Sequence, residues 1–382
     1  MTLTVVGPTH PFRGGISHYT SLLVRSLREQ HEVRFLSYSR QYPGWLYPGD
    51  SDRDPSTALL TQEQVSLRFD ALNPWAWWRI GRDVARSGSS LVILQWSTVY
   101  WSPFYWIFLK ALRREGKTQS VFICHNVVEH EANWLKSWGS QLVLGIGDYF
   151  ITHSHWDKSN LTPWVGRSRT NTIRVCPHPR YEHLKQQTIG KAEARASLGI
   201  RAERVLLFFG FIRPYKGLHY LLESLPQVKA RLDIHLLIAG EVWGDVKTYM
   251  DTAERLKITS SITFVPGYIP NEDVGRYFEA ADILVAPYVT ATQSGIVQLA
   301  YGFGKPVIVS NVGGLPEAVT AGETGYLVPP CDASAIAHAI LDYYENRREA
   351  AMVQAVAQRR SLASWDRLSQ TIEEIAEDSL RS

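Results

Sequence analysis

A chain of 382 residues, 45% hydrophobic and 20% charged, is long enough for two domains with ample core. Its formal net charge of +3 is too small to argue for nucleic acid, and no apolar run approaches the roughly 20 residues that span a bilayer. Cys124, Cys176 and Cys331, odd in number and with apolar or proline neighbours, suit reduced thiols better than a disulfide framework.

The chain enters a strand at once, Leu3–Val6, with no basic or apolar leader pattern before it. The expectation is a cytoplasmic protein, soluble or peripheral to a membrane. Further strands are expected at Val33–Tyr38, Leu91–Trp96, Val121–His125, Tyr149–Ser154 and Thr172–Cys176, with room for crossover helices between them. That alternation implies a doubly wound parallel sheet. Arg40 to Asn73 is the exception, rich in Pro, Gly, Asp and aromatics, and reads as a long functional or mobile loop. Asp52-Arg53-Asp54 within it has the form of a metal-binding D-x-D but follows no apolar strand, so it reads as loop chemistry.

After the first strand, Gly14 and Gly15 open a helix with Ile16, Tyr19, Leu23 and Leu27 on one side. Two glycines at a helix start let a phosphate approach the backbone; a plain tight turn is the alternative. Trp101 to Lys117 reads as a helix capped by Ser102, with Pro103 in its first position. Trp106, Lys110, Arg113 and Lys117 recur along one side of it. Such a face suits anionic lipid; the plainer alternative, which the sequence favours, is a crossover helix with a solvated basic edge. Just past a strand, His125, Glu129, His130 and Glu131 crowd together, but their spacing matches no zinc motif, and no metal is implied.

Pro177-His178-Pro179 closes the first half, and the polar stretch through Ala202 reads as a linker. Val205–Gly210 then begins a second set of strands and runs into Arg213, Lys216 and Gly217, followed by helical spacing at Leu218, Leu221, Leu222 and Leu225. A lysine point charge and an arginine fork suit a diphosphate; a solvated basic turn is the alternative. His235–Gly240 leads to Glu241, and Ile262–Tyr268 leads to Ile269 and a helix expected to be capped by Asn271. Strand Ile283–Pro287, polar turn Thr290–Ser294, a helix opening at Gly295, strand Val307–Val309 and the pair Gly313-Gly314 complete a βαβ unit. Its turns lie at the carboxyl ends of strands, where open α/β sheets bind ligands. Ser294 as a cap would aim free backbone N–H groups and a positive dipole end at an anion. No G-x-G-x-x-G follows any expected strand, which argues against a dinucleotide cofactor.

This last stretch, Ala286 to Val319, resembles the nucleotide-sugar-binding half of a retaining glycosyltransferase of family four, in the GT-B group, and the resemblance extends over nearly the whole chain. It implies an α/β fold of two Rossmann-like domains facing across a cleft. Residues 1–178 would form the acceptor-side domain and 179–363 the nucleotide-sugar domain, with 364–382 a helix packing back on the first. The implied activity is a metal-independent, hexosyltransferase-like reaction of the polysaccharide-biosynthesis kind. The donor is a nucleotide sugar, a UDP-sugar being the commonest, and the acceptor a glycan or lipid-linked sugar, with no cofactor. By the same resemblance Gly14 and Gly15 close over the donor phosphates and His125 contacts the transferred sugar. Lys216 and Arg213, after Gly210, meet the diphosphate. Glu241, Tyr268 and Ile269 belong to the turns that hold the base, and Thr292, Gln293, Ser294 and Gly295 supply contacts at the helix end. The leaving phosphate takes the acceptor's proton, while cations and amides stabilise its growing charge.

Two departures from the family pattern stand out. Phe211 occupies the usual arginine slot, with Arg213 two residues later. The paired glutamates expected around the last helix are Ala291 and Leu299, and Ile283 to Val309 contains no acidic residue. Gln298 is expected to replace the ribose contact, and Thr292 or Gln293 the sugar contact; the alternative has Gln298 in solvent and the ribose held by backbone. The missing glutamates leave open a nucleotide-sugar-binding protein without transfer activity. An epimerase of the same fold would need acidic residues that this stretch lacks.

Overall fold

A computed structural model describes residues 1–42, 51–57, 63–116, 118–127, 134–185 and 189–381, the side chains of residues 134–137 excepted. The chain forms two compact units. The first comprises Met1–Pro55, Leu59–His178 and Ala363–Ser382, and the second Ser56–Ala58 and Pro179–Leu362.

In the first unit the strands are β1 (Thr2–Val6), β2 (Glu32–Arg40), β3 (Ser66–Asp70), β4 (Leu91–Trp96), β5 (Gln119–Cys124), β6 (Tyr149–Thr152) and β7 (Ile173–Val175). They lie in the order β3-β2-β1-β4-β5-β6-β7, each pair parallel. The central strands β1, β4 and β5 are largely buried and mostly apolar because helices cover both faces. Helices Pro74–Arg86 and Ser102–Glu115 pack closely at Gly81, where a Cβ would lie 2.7 Å from the Phe108 carbonyl oxygen. The second of these helices sends Phe104, Tyr105, Phe108, Leu109 and Leu112 into the core. Trp106 stays 39% exposed, with Lys110 Nζ 5.7 Å from its ring centroid. Arg113 is held at 2.8 Å by Asp148, and Lys117 lies outside the described residues. Ser102 is the first residue inside this helix and not its cap. Thr98 instead accepts the Tyr100 N–H at 3.3 Å, heading the short turn Val99–Trp101 that precedes it. The last helix, Trp365–Arg381, lies on helix Gly15–Arg28, with Trp365 and Tyr19 rings 5.1 Å apart and Ser26 bonded to Ser369 at 2.9 Å.

The second unit holds β8 (Val205–Phe209), β9 (His235–Gly240), β10 (Ile262–Pro266), β11 (Ile283–Ala286), β12 (Val307–Ser310) and β13 (Gly325–Val328), ordered β10-β9-β8-β11-β12-β13 and again parallel. Both sheets therefore reverse their direction of growth beside their first strand. The crevices so made lie outside the carboxyl ends of β1 and β4, and of β8 and β11. No helix among the described residues is long and apolar enough to cross a membrane.

The structure departs from the sequence reading in three further places. The stretch after Pro179 is built into the second unit and is not a plain linker. Arg180 and Tyr181 are buried, and helix Lys191–Ser197 sends Lys191 and Arg195 to the buried Asp282, which also accepts the Val205 N–H at 2.7 Å. A buried carboxylate needs that many partners, and the polar composition of the stretch reflects this internal pairing. Helix Asn271–Ala280 is preceded by Pro270 at the cap position, so Asn271 is its first residue. The Asn271 N–H donates to Ser56 Oγ at 2.9 Å, so a hydroxyl from elsewhere in the unit satisfies the helix end. Finally, β3 and β13 go unannounced in the sequence. On the edge strand β3 only Phe69 is buried, which leaves no alternation to read. On β13, Gly325 is required by close approach, since a Cβ there would lie 2.1 Å from the Val307 carbonyl oxygen.

Candidate functional site

In the second unit the chain leaves β8 through Gly210, whose φ of +94° favours glycine. A Cβ there would sit 3.1 Å from Ile296 Cδ1 and 3.9 Å from Lys216 Nζ, so this turn, the lysine and the start of helix Gly295–Gly302 meet at one point. The loop is fixed to the end of β11. Gly217, at φ +70°, lies so close that a Cβ would be 2.0 Å from the Pro287 carbonyl oxygen, and the Val289 N–H donates to the Tyr215 carbonyl at 2.7 Å.

Lys216 is only 9% exposed, and its ammonium sits 5.1 Å from the centroid of the Tyr288 ring. No carboxylate pairs with it among the described residues. Burial pushes its pKa down, and the charge of Arg213 adds to that while Tyr215 opposes it. A buried cation without a counter-charge is costly, and the arrangement is ready for an anion.

Ser294 caps the adjacent helix, its Oγ accepting the Val297 N–H at 3.4 Å and bonding Tyr288 Oη at 3.2 Å. The N–H groups of Gly295 and Ile296 lie in the first turn, at the positive end of the helix. The loop before the cap rests on the glycine pair after β12. Gly314 N–H donates to the Thr292 carbonyl at 2.8 Å, and a Cβ on Gly313 would lie 1.7 Å from the Ala291 carbonyl oxygen. Thr292 is buried and Gln293 half-buried in that loop.

Arg213 lies close enough for its charge to act on Lys216, and it is packed on an aromatic ring. Its guanidinium stacks 3.6 Å from the Trp243 ring centroid, and Trp243 Nε1 donates to Glu241 Oε1 at 3.0 Å. Phe211, in the slot where the resemblance expects arginine, contacts Trp243 and Tyr268 at 5.1 and 6.3 Å between rings. Arg213, Glu241 and Tyr268 thus gather at the ends of β8, β9 and β10 with half-buried Ile269 beside them, while Lys216 faces β11. Aromatic partners hold the displaced arginine, and Trp243 is a site residue that sequence reasoning missed.

Leu299 and Ala291 are buried. Gln298 is 6% exposed, so it does not point to solvent, and its Oε1 has no partner among the described residues. An unpaired buried acceptor costs about 1–3 kcal/mol, which favours a ligand donor there. On the nucleotide-sugar site that the resemblance implies, Gln298→Ala is expected to weaken donor binding about tenfold by calorimetry. Unchanged affinity would return ribose recognition to the backbone.

In the first unit Gly14, at φ +109°, caps helix Gly15–Arg28, and both glycines have open space where a Cβ would stand. Asp52-Arg53-Asp54 packs on this loop. The Arg13 N–H donates to the Asp52 carbonyl at 3.0 Å, the Asp54 N–H to Pro11 at 2.9 Å, and His18 Nε2 lies 3.5 Å from Asp54 Oδ2. His125 follows β5, with Nε2 2.7 Å from Gln95 Oε1. Around it the structure assembles a cluster that the sequence did not announce. His125, His153 and His178 follow the ends of β5, β6 and β7 and surround the buried Tyr19, at 4.6, 5.5 and 5.3 Å between rings. Burial, reinforced by His178, pushes His125 down to about 3. Burial, then His178 and His125, also pushes His153 well below the usual range. Among the described residues no group of three His, Cys, Asp or Glu side chains is placed to hold a metal ion; Glu129, His130 and Glu131 lie outside them.

Residues 203–346 match the family described as glycosyl transferases group 1. Among curated relatives, D-inositol 3-phosphate glycosyltransferase of Segniliparus rotundus is 36% identical over 36% of this chain and 32% of its own. The Streptomyces avermitilis enzyme of the same name is 27% identical over 60% of this chain and 51% of its own. The chain thus spans about a third to a half of the length of these relatives. Of solved structures, sucrose-phosphate synthase from Thermosynechococcus elongatus superposes with a TM-score of 0.72 at 19% identity, covering 100% of this chain and 99% of that one. Anabaena HepE in complex with UDP does so with 0.76 at 16%, covering 99% of each. By sequence, residues 203–346 of the second unit are similar to the group 1 glycosyl transferases, and the chain's two parallel-sheet units share the fold of these GT-B structures.

Proposed function

We propose that the protein is a retaining, metal-independent glycosyltransferase that moves a hexose from a nucleoside diphosphate sugar, UDP-linked by preference, to a glycan or lipid-linked acceptor. The observation that carries this is Lys216, a buried cation beside a capped helix start, at the point where the second sheet reverses. A diphosphate supplies the missing counter-charge. The UDP and UDP-glucose complexes of HepE support the choice of nucleotide. Lys216 and the amides of Gly295 and Ile296 stabilise charge on the leaving diphosphate, which takes the acceptor's proton. Arg213 and Tyr268 serve the nucleotide from the other side of the loop, Gly14 and Gly15 the phosphates, and His125 the transferred sugar. Incubation with a UDP-sugar and a lipid-linked or oligosaccharide acceptor tests it: acceptor-dependent UDP release with retained anomeric configuration is expected. Donor binding without release would make the chain a binding protein, and an inverted product would exclude retention.

We further propose peripheral contact with anionic membrane through the exposed edge of helix Ser102–Glu115, on the strength of Trp106 and Lys110. Sedimentation with vesicles should require anionic lipid and weaken with salt. Equal recovery with neutral vesicles, or none with either, would leave this a solvated helix edge.

A further inference from the structure

Of the buried polar atoms in the first unit that find no partner among the described residues, Gln95 Nε2 and His153 Nε2 lie in one cluster. Gln95, 1% exposed near the end of β4, accepts from His125 through Oε1, and its Nε2 has no acceptor among the described residues. His153, buried just past β6, bonds the Cys176 carbonyl through Nδ1 at 2.8 Å. A carbonyl only accepts, so the proton is on Nδ1. His153 Nε2 therefore presents a lone pair, and no donor reaches it among the described residues. Each such atom costs about 1–3 kcal/mol when left unpaired, so two in one cluster mark a place where a ligand completes the bonding.

They are neighbours. His125 is bonded to Gln95, and its ring centroid is 5.8 Å from that of His153; Tyr19 packs on both imidazoles. Gln95 also stands where the first sheet reverses, so close to the end of β1 that a Cβ on Gly7 would fall 2.6 Å from its Cγ. That is where open α/β sheets take ligands. An amide and neutral imidazoles offer an anion little. A sugar hydroxyl, which both donates and accepts, fits one free donor and one free acceptor.

We propose that Gln95 and His153 form, beside His125, a neutral subsite for a pyranose, in which sugar hydroxyls accept from the Gln95 amide and donate to His153 Nε2. It deepens the function proposed above, since it rests on the first unit meeting a sugar. Gln95 and His153 then select among sugars by hydroxyl placement.

Saturation-transfer NMR of the full chain with D-glucose, D-galactose, D-mannose and N-acetyl-D-glucosamine tests the proposal. At least one sugar should receive saturation from the native protein. Its signal should fall by about fivefold or more in His153→Asn and in Gln95→Met, for a hydrogen bond of about 1 kcal/mol. The first variant keeps a donor for the Cys176 carbonyl but has no acceptor at the Nε2 position; the second keeps the length of the side chain. UDP titrated calorimetrically in parallel should bind both variants as it binds the native chain. A native chain that binds sugar but not UDP would sink the nucleotide reading and leave this subsite standing. Should one variant lose UDP binding too, it has lost its fold and the other decides. Equal sugar signal in native and variant chains, or no signal from any of the four sugars, would overturn the subsite.

Discussion

Lys216→Met is expected to cut turnover at least about a hundredfold while leaving the protein as stable as before, or more so. The two effects have one cause. In the unliganded fold the ammonium is buried beside Tyr288, away from any carboxylate among the described residues, so its desolvation is uncompensated. Methionine keeps the stem packed and removes that cost. In the transfer proposed above, charge grows on the leaving diphosphate in the transition state, and a fixed cation beside it would contribute about 3–4 kcal/mol. Steady-state kcat and the melting temperature of both forms check it. A folded variant with unchanged kcat would remove Lys216 from the site, and a sharp fall in melting temperature would show that the lysine is structural.

The second large effect is on stability against acid. His125 and His153 are neutral in the fold, whereas an imidazole in the unfolded chain titrates near 6.5. Below that pH the unfolded chain takes up protons that the folded one refuses, so stability is intact above about pH 6.5 and falls as pH drops toward 3, the folded value of His125. Near pH 5 the two histidines together impose a slope of about 2.7 kcal/mol per pH unit. Urea melts at pH 7, 6 and 5 measure it. His153→Asn should remove about half of that slope, with every other titrating group unchanged between the two proteins. Parallel curves for the native and variant chains would contradict the assignment.

Most strands were legible because buried parallel strands such as LVILQW in β4 and VLLFF in β8 are short apolar runs with clear bounds. What failed to show has physical reasons. β3 is an edge strand with one buried side chain, and β13 is shaped by a close approach to β12 that only the fold reveals. The two caps were assigned by residue type, yet Thr98 and Ser56 supply the oxygens from outside the expected positions. At the site, Gly210, Lys216 and Ser294 were readable because strand, charge and cap recur in a known order. His153 and His178 were not, because neither belongs to a local motif; their meeting depends on β5, β6 and β7 being neighbours. One signal was available: a histidine stands within three residues of the end of each of these successive strands. For Gln95, an ordinary polar residue in an apolar strand, the only signal was its polarity. Arg213, two residues past the slot the resemblance expects, stacks on Trp243, a partner that no local motif announced.

The most direct measurement is the melting temperature of the full chain with UDP-glucose, UDP-galactose, UDP-N-acetylglucosamine, GDP-mannose and ADP-glucose, each in the native and Lys216→Met forms. A ligand at about 100 times its Kd adds roughly 2.7 kcal/mol, so the cognate donor should raise the native melting temperature clearly. The same donor should raise that of the variant much less. No rise with any of the five, or an equal rise in both forms, would contradict a nucleotide-sugar site built on Lys216.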